Sequence, residues 1–179
     1  MKVFRVKADI EKFQNIFPQI DNKDILDFMT FDCIKKASKW SEISWYVYNP
    51  KKQQGNFYSL GGVGAFAFDQ TVYDSDLYTF FETAGEILPI NVEGNRMYVT
   101  NILECINMLD EKKSVWHLYP DGSKGRILKY MFNKNRTSQS SLFKIPNTAK
   151  TEILTYSGVR ESCNEFLSEY HKSGLTGLL

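Results

Sequence analysis

The sequence has little of the residue types that build most catalytic and metal sites. Its 179 residues include three cysteines and two histidines, and no CxxC, HExxH or HxxxH spacing occurs. Zinc sites depend on ligands at such close spacings. A GxSxG segment, which would carry a serine nucleophile, is also absent. The spacings therefore assign no catalytic residue, no metal ligand and no cofactor.

The cysteines do not form the pattern of a disulfide framework. Cys33, Cys105 and Cys163 are an odd number and lie far apart along the chain. Small secreted proteins that depend on disulfides usually carry an even number of cysteines. We expect free, buried thiols in a reducing compartment.

Long hydrophobic runs are also missing. Residues 1–7 (MKVFRVK) lack the apolar core of a signal peptide. No apolar run approaches the roughly 20 residues that a helix needs to cross a bilayer. These features predict a cytoplasmic protein with no membrane partner.

The glycine-rich segment at residues 60–65 (LGGVGA) lacks the features of a phosphate-binding loop. It has neither the Gly-Lys-Ser/Thr ending of a P-loop nor the GxGxxG spacing. A tight loop or a bend in a strand is the prediction for this segment.

A thiol nucleophile is the enzymatic alternative. Cys105 and His117 lie near each other in sequence, and a Cys–His pair is an established nucleophilic arrangement. However, Cys105 stands among Ile102, Leu103 and Ile106, a pattern typical of a buried strand in which a thiol is inert. The sequence therefore favours a structural role for Cys105.

The most informative feature that is present is a segregation of charge. Residues 66–111, the acidic block, contain nine carboxylates and one cation, Arg96. Residues 112–150, the basic block, contain nine cations and one carboxylate, Asp121. These opposite net charges, −8 and +8, are hidden in a whole-chain charge of +1. Such an imbalance bears on partners and association rates rather than on the fold.

Three interpretations of the charge blocks stay open. The blocks either fold against each other and cancel, or present charged surfaces to partners. An exposed acidic surface imitates a phosphate array and attracts cationic proteins such as nucleases. The basic block interleaves cations with aromatic residues, as nucleic-acid-binding surfaces do, although a pI of about 7.6 disfavours that function. The interleaved residues are Lys129, Tyr130, Phe132, Lys134 and Arg136.

Short β-rich segments dominate the chain. Pro120-Asp121-Gly122-Ser123 has turn chemistry and predicts a hairpin between the segments on either side. Pro89 predicts an edge or bulged strand. The predicted strands are residues 3–8, 40–48, 87–92, 97–106, 115–119, 125–132, 142–145 and 152–156.

Two helices are predicted, one in the middle of the chain and one near its C-terminus. The first is capped by Ser75, has apolar positions at helical spacing and ends at Gly85. The second, residues 159–173, has an apolar stripe that includes Cys163, with Ser157 as its cap and Gly174 at its end. We expect the apolar tail 175–179 to pack against the body.

The segregation of helices from strands predicts an α+β fold with a largely antiparallel sheet. The length fits one domain, or one domain with an N-terminal appendage. We divide the chain into an N-terminal part of unknown role at residues 1–65 and an α+β domain at residues 66–179.

Three stretches of the sequence form a recognisable pattern. The first is residues 76–90, in which a helical segment (DLYTFF) leads into a proline-bearing strand (GEILPI). The second is residues 98–107 (YVTNILECIN), followed by Leu109-Asp110 and Ser114. The third joins LFKI and ILT, at residues 142–155, to a helix that ends in Leu-Thr-Gly-Leu. Together they resemble a family of bacterial immunity proteins that accompany polymorphic secreted toxins, over about residues 68–179.

The resemblance implies an α+β protein without catalytic residues that binds and neutralises a cognate protein toxin. Such families diversify their toxin-facing surfaces, so the resemblance does not identify the partner. The charge pattern places the predicted partner-binding site in the acidic block. A small hydrolase-like enzyme with a dispersed site and a nucleic-acid-binding or ligand-binding module are the alternatives. The predicted partner-binding residues are Asp69, Asp74, Asp76, Glu82 and Glu86.

Overall fold

The computed structural model describes residues 1–19, 28–41, 43–61 and 64–179. Gly62 and Val63, in the predicted glycine-rich loop, lie outside the described residues. Strands and short helices alternate irregularly, and the described α-helices are α1 (Gln70–Tyr73), α2 (Tyr78–Ala84) and α3 (Phe166–Ser173). The strands are β1 (Lys2–Val6), β2 (Ile16–Pro18), β3 (Ser44–Val47), β4 (Phe57–Tyr58), β5 (Ala67–Phe68), β6 (Gly85–Val92), β7 (Asn95–Ile102), β8 (Val115–Leu118), β9 (Lys124–Lys129), β10 (Leu142–Phe143) and β11 (Ile153–Ser157).

The described strands form three sheets. A six-stranded sheet has the order β2-β3-β6-β7-β5-β4, and a three-stranded sheet has the order β1-β11-β10. The predicted hairpin forms a separate pair, β8-β9. Pairing between named strands is antiparallel except for β3 with β6. The predicted α+β class with largely antiparallel sheets is confirmed.

The N-terminal part shares its sheets with the rest of the chain. β1 pairs along its whole length with β11, from Lys2 opposite Ser157 to Val6 opposite Ile153. β2, β3 and β4 belong to the six-stranded sheet, together with β5, β6 and β7. Residues 1–65 therefore complete both larger sheets.

An aromatic cluster fills the space between the two larger sheets and the helices. Phe57 and Phe68 from the six-stranded sheet and Phe66, which directly precedes β5, are fully buried, as are Phe81 of α2 and Phe166 of α3. Phe81 stacks on Phe68 with ring centroids 5.1 Å apart and meets Phe166 edge-on at 5.5 Å. This packing fixes α2 and α3 against the sheet, since large buried rings dominate core energetics.

The junction of α2 and β6 differs in detail from the prediction. Gly85 has extended backbone (φ 174°) and is the first residue of β6, so the helix passes directly into a strand. A Cβ at Gly85 would lie 2.0 Å from the carbonyl oxygen of Asn101 on β7. Glycine is therefore required here for close approach of two strands, rather than for a left-handed helix end.

Pro89 lies on an inner strand rather than on an edge strand. β6 pairs with β7 over its whole length, and Pro89 faces Tyr98. β3 covers only the far end of β6, at Asn91 and Val92. Among the described residues, no strand pairs with Pro89 on this side of β6, so the missing backbone N–H of proline breaks no hydrogen bond between strands. The carbonyl oxygen of Pro89 accepts a hydrogen bond from Trp40 Nε1 at 2.8 Å.

The C-terminal helix is shorter than predicted. Residues 159–165 form a bend and a 3₁₀ turn, and only Phe166–Ser173 is α-helical. Cys163 is consequently exposed, and Ser157 belongs to β11. Gly174 ends the helix in the left-handed region (φ 69°), as predicted.

Glu165 explains why the helix does not begin earlier. Its side chain is buried, and its two carboxylate oxygens accept hydrogen bonds from the backbone N–H groups of Gly158, Val159 and Arg160. The backbone of Glu165 is extended (φ −120°, ψ 117°), which interrupts the helical pattern. A side chain that satisfies the preceding backbone competes with helix formation.

The C-terminal tail packs against the body, as predicted. Leu179 N donates to the carbonyl oxygen of Lys7 at 2.8 Å, and Leu178 contacts the aromatic cluster. The carbonyl oxygen of Thr176 accepts hydrogen bonds from the backbone N–H groups of Asn56 and Phe57. Among the described residues, no helix combines the length and apolar composition needed to span a bilayer.

Candidate functional site

The structure divides the five predicted partner-binding carboxylates into two groups. Asp74, Asp76 and Glu82 are exposed on the corner formed by α1 and α2, and we call them the acidic ridge. Asp69 and Glu86 are only partly exposed and are engaged in hydrogen bonds with other segments. The acidic ridge is therefore the part of the predicted site that is free to meet a partner.

Asp69 organises the base of the ridge. It caps α1, because its Oδ1 accepts a hydrogen bond from Val72 N at 3.1 Å. Its Oδ2 accepts another from Asn56 Nδ2 at 3.0 Å, and Asn56 Oδ1 accepts one from Thr176 N. Asp69 thus joins α1 to the C-terminal tail.

Glu86 holds the segment of residues 34–37 against the six-stranded sheet. Its Oε2 accepts hydrogen bonds from Lys36 N at 2.8 Å and from Asn101 Nδ2 at 2.9 Å, and its Oε1 accepts one from Ala37 N. Asn101 Nδ2 also donates to the carbonyl oxygen of Ile34. These bonds give Glu86 a role in positioning a neighbouring segment.

The acidic ridge stands on a rigid base. Tyr73 packs between Tyr98 of β7, at 4.2 Å between ring centroids, and Tyr78 of α2, at 4.7 Å. Gln70 accepts a hydrogen bond from the Tyr98 hydroxyl and donates one to Asp74 Oδ1, each at 2.9 Å. The carboxylate of Asp74 is therefore tied to the sheet through two side chains. A surface that is ordered before binding loses less entropy when a partner binds.

A shallow cleft borders the ridge on the side of α3. It has a volume of about 430 Å³ and is lined by Asp74 and Asp76, together with Glu169 and Lys172 of α3. Lys172 pairs with Glu169 at 2.6 Å, so its charge is partly neutralised within α3. The cleft consequently keeps an excess of negative charge, which suits a basic side chain of a partner.

The acidic and basic blocks do not neutralise each other in the part of the chain that the structure describes. Two ion pairs join them there, Lys113 with Asp110 at 3.2 Å and Lys124 with Glu111 at 3.6 Å. Both carboxylates lie at the boundary between the blocks, and both pairs are largely exposed. Within the same described residues, no carboxylate of the acidic ridge forms an ion pair. The negative charge of the acidic ridge is thus exposed to solvent and is not neutralised by ion pairs in the described part of the chain.

The basic block does not present the aromatic platform that nucleic-acid binding by stacking requires. Tyr130 and Phe132 stack on each other and pack against the core cluster beneath β10 and β11. The Tyr130 hydroxyl donates to Glu152 at 2.8 Å. Lys129, Lys134 and Arg136 are exposed, but their aromatic neighbours are used internally.

Cys105 and His117 are placed in different surroundings. His117 lies on the exposed strand β8 and contacts Tyr119 edge-on, with ring centroids 5.3 Å apart. Cys105 is half-buried, forms a β-bridge with Lys144 and lies near the side chain of Cys33. The described contacts therefore bring Cys105 to a second thiol and an amine rather than to an imidazole. Among the described residues, no three His, Cys, Asp or Glu side chains are grouped to hold a metal ion.

The most unusual buried residue, Lys144, has only a weak signal in the sequence. It is fully buried, and its Nζ donates to the carbonyl oxygen of Phe31 at 2.5 Å. Burial lowers the pKa of Lys144 to about 8, and interactions with Cys33 and Asp32 oppose that shift only in part. In the sequence, Lys144 lies between the apolar residues Phe143 and Ile145, which is the one signal of burial.

No protein-family model matches this chain, and no curated protein has significant similarity to it.

Proposed function

We propose that this chain is a non-enzymatic immunity protein that binds and neutralises a cognate bacterial toxin in the cytoplasm. The proposal rests on the resemblance of residues 68–179 to immunity proteins of polymorphic toxin systems. The observation that carries it is the acidic ridge, which combines three exposed carboxylates without cationic partners in the described part of the chain with a rigid base. Exposed, ordered carboxylates of this kind attract and bind a partner with a basic surface.

Neutralisation of this kind requires occlusion and no bond-making step. Carboxylates at Asp74, Asp76 and Glu82 attract a positively charged active-site face, which raises the rate of association. Tyr78 lies beside Glu82, and its hydroxyl donates to Glu82 Oε1 at 3.4 Å. A tyrosine in such a position supplies apolar contact area at the centre of an acidic surface.

The test of this function begins with the neighbouring genes. We expect a large secreted protein with a variable C-terminal domain to be encoded directly upstream. Expression of that C-terminal domain alone should arrest growth, and co-expression of this chain should restore it. A growth arrest that persists although both proteins are soluble and folded would contradict the proposal, as would the absence of any toxin gene.

A ligand-binding hairpin is the second candidate function. One face of β8 and β9 packs on the core through Trp116 and Ile127, and the hairpin also carries large apolar side chains in contact with water, including Leu118 at 59% exposure and Leu128 at 53%. Lys124, Arg126 and Lys129 lie on the same hairpin. Binding of single-stranded nucleic acid that weakens steeply with salt would support this function. Absence of binding at low salt would remove it.

A further inference from the structure

The region around Cys105 contains a pair of thiols that neither proposed function uses. The side chains of Cys33 and Cys105 lie close enough to interact, although the two residues are distant in sequence. Both residues are half-buried, so part of each stays accessible to a small reagent. The third cysteine, Cys163, is exposed on the 3₁₀ turn before α3 and is the natural control.

The backbone around Cys33 is held in place from both sides. The carbonyl oxygen of Phe31 accepts the hydrogen bond from Lys144 Nζ, and that of Ile34 accepts one from Asn101 Nδ2 at 2.9 Å. Between these anchors Cys33 has φ 70°, a conformation that non-glycine residues seldom adopt. Two buried side chains thus fix an unfavourable backbone conformation, and such conformations concentrate at functional positions.

Cys105 is fixed by the opposite wall of the same region. Cys105 and Lys144 form a β-bridge, in which Lys144 N donates to the carbonyl oxygen of Glu104 at 2.8 Å. Ile106 N in turn donates to the carbonyl oxygen of Lys144 at 2.9 Å. Lys144 therefore holds both thiols, Cys105 through its backbone and the Cys33 segment through its amine.

We propose that Cys33 and Cys105 form a redox-active dithiol, which hydrogen peroxide converts reversibly into a disulfide that ties residues 31–37 to the segment after β7. One thiolate attacks a peroxide oxygen, so that an S–O bond forms, the O–O bond breaks and water leaves. The second sulfur then attacks the resulting sulfenic acid. The S–S bond forms, the S–O bond breaks, and the hydroxyl group leaves as a second water with the proton of the second thiol. The two sulfurs lose two electrons, and the peroxide gains them.

Lys144 only partly counteracts the effect of burial on the pKa of Cys33. Burial raises the pKa of Cys33 to about 11, and the nearby Lys144 ammonium acts against that rise. Cys33 is consequently a protonated thiol at neutral pH, and because the thiolate is the nucleophile, its oxidation should be slow there and faster at alkaline pH.

The experiment is disulfide mapping on the folded, full-length protein. The reduced protein is treated with hydrogen peroxide, free thiols are alkylated in denaturant, and the peptides are identified by mass spectrometry. We expect a Cys33–Cys105 disulfide that dithiothreitol reverses, with Cys163 alkylated. The disulfide should form at least about tenfold more slowly in denaturant, because folding supplies the proximity of the two sulfurs. Alkylation of both Cys33 and Cys105 after oxidation, or disulfides through Cys163 alone, would overturn the proposal.

Serine variants separate the dithiol from a general sensitivity to oxidant. Cys33→Ser and Cys105→Ser should each abolish the disulfide, whereas Cys163→Ser should leave it unchanged. The mapping on the unaltered protein decides the proposal even where a serine variant folds poorly. The outcome is independent of toxin binding, so failure of either proposal leaves the other standing.

Discussion

Buried charged side chains determine the local structure of this protein at two places. Glu165 and Lys144 are almost completely inaccessible, yet each meets backbone groups from distant or non-helical segments. A buried charge is costly unless hydrogen bonds compensate it. These two residues therefore have a larger effect on stability than exposed charges of the same type.

Replacement of Glu165 by glutamine should destabilise the protein by about 2 kcal/mol, because one of three backbone N–H donors would face an amide NH₂. Equilibrium unfolding in urea measures the change. Glu161→Gln is the matched control, since Glu161 is exposed in the same segment, and it should be close to neutral. Equal effects of the two substitutions would contradict the role assigned to Glu165.

Glu165 should also contribute to stability against acid. Burial by itself raises its pKa, but hydrogen bonds from Arg160, Val159 and Gly158 outweigh burial, and the pKa lies below its ordinary value of 4.5. A carboxyl group with a lowered pKa in the folded state stabilises the protein above pH 4.5, and this contribution is lost as the pH falls. In Glu165→Gln the free energy of unfolding should accordingly fall less between pH 5 and pH 3 (about the range set by these pKa values).

Lys144 predicts a dependence of the same sign at alkaline pH. Its pKa is about 8 when folded and 10.5 in the absence of burial, so the unfolded chain binds more protons between these values. The unfolding free energy should therefore rise by about 1 kcal/mol from pH 7 to pH 9 through this residue alone. Lys144→Met should remove that rise when the two proteins are compared at each pH. An identical pH profile for both proteins would contradict the buried, deprotonating amine.

At the scale of elements, contacts between distant segments decide where helices and strands begin and end. The apolar stripe of residues 159–173 predicts one long helix, but only the residues from Phe166 onward are α-helical. The first half of the predicted helix does not form, because Glu165 accepts hydrogen bonds from the backbone of residues 158–160. The spacing of apolar residues carries no information about such a bond. The hairpin β8–β9 was predictable because its turn residues act locally.

Gly85 shows a similar limit of local sequence patterns. Its position after an amphipathic segment predicts a helix end, and the helix does end there. The requirement for glycine comes instead from Asn101, on a strand that the sequence alone does not place beside it.

Gly85→Ala should therefore destabilise the protein by about 3 kcal/mol, since the new methyl group would collide with backbone that cannot move aside. Thermal or chemical unfolding measures the loss. Gly94→Ala is the comparison, because a Cβ at Gly94 meets nothing within 4 Å and only its positive φ (87°) opposes the change. That substitution should cost about 1 kcal/mol. A larger loss for Gly94→Ala than for Gly85→Ala would contradict the close-approach argument.

At the scale of the whole molecule, the sequence shows that charge is segregated, but it does not show which charges are available. The acidic block is evident from composition. Glu86 is engaged because Lys36, Ala37 and Asn101 reach it, and Asp69 because Asn56 does. Such partners are far apart in sequence, so only the fold separates the exposed acidic ridge from the engaged carboxylates.

The central claim is that this protein acts through the potential of the acidic ridge. The most direct measurement compares toxin binding by two double variants at low and high salt. Asp76→Lys with Glu82→Lys reverses two charges within the ridge, and Glu11→Lys with Glu161→Lys reverses two exposed charges elsewhere. Both variants have the same net charge, so they differ only in where the change lies.

The ridge variant should bind about tenfold or more weakly and lose most of the salt dependence of Kd, with its Tm nearly unchanged. The control variant should bind almost as tightly as the unaltered protein. Equal affinities for the ridge and control variants at both salt concentrations would contradict the account.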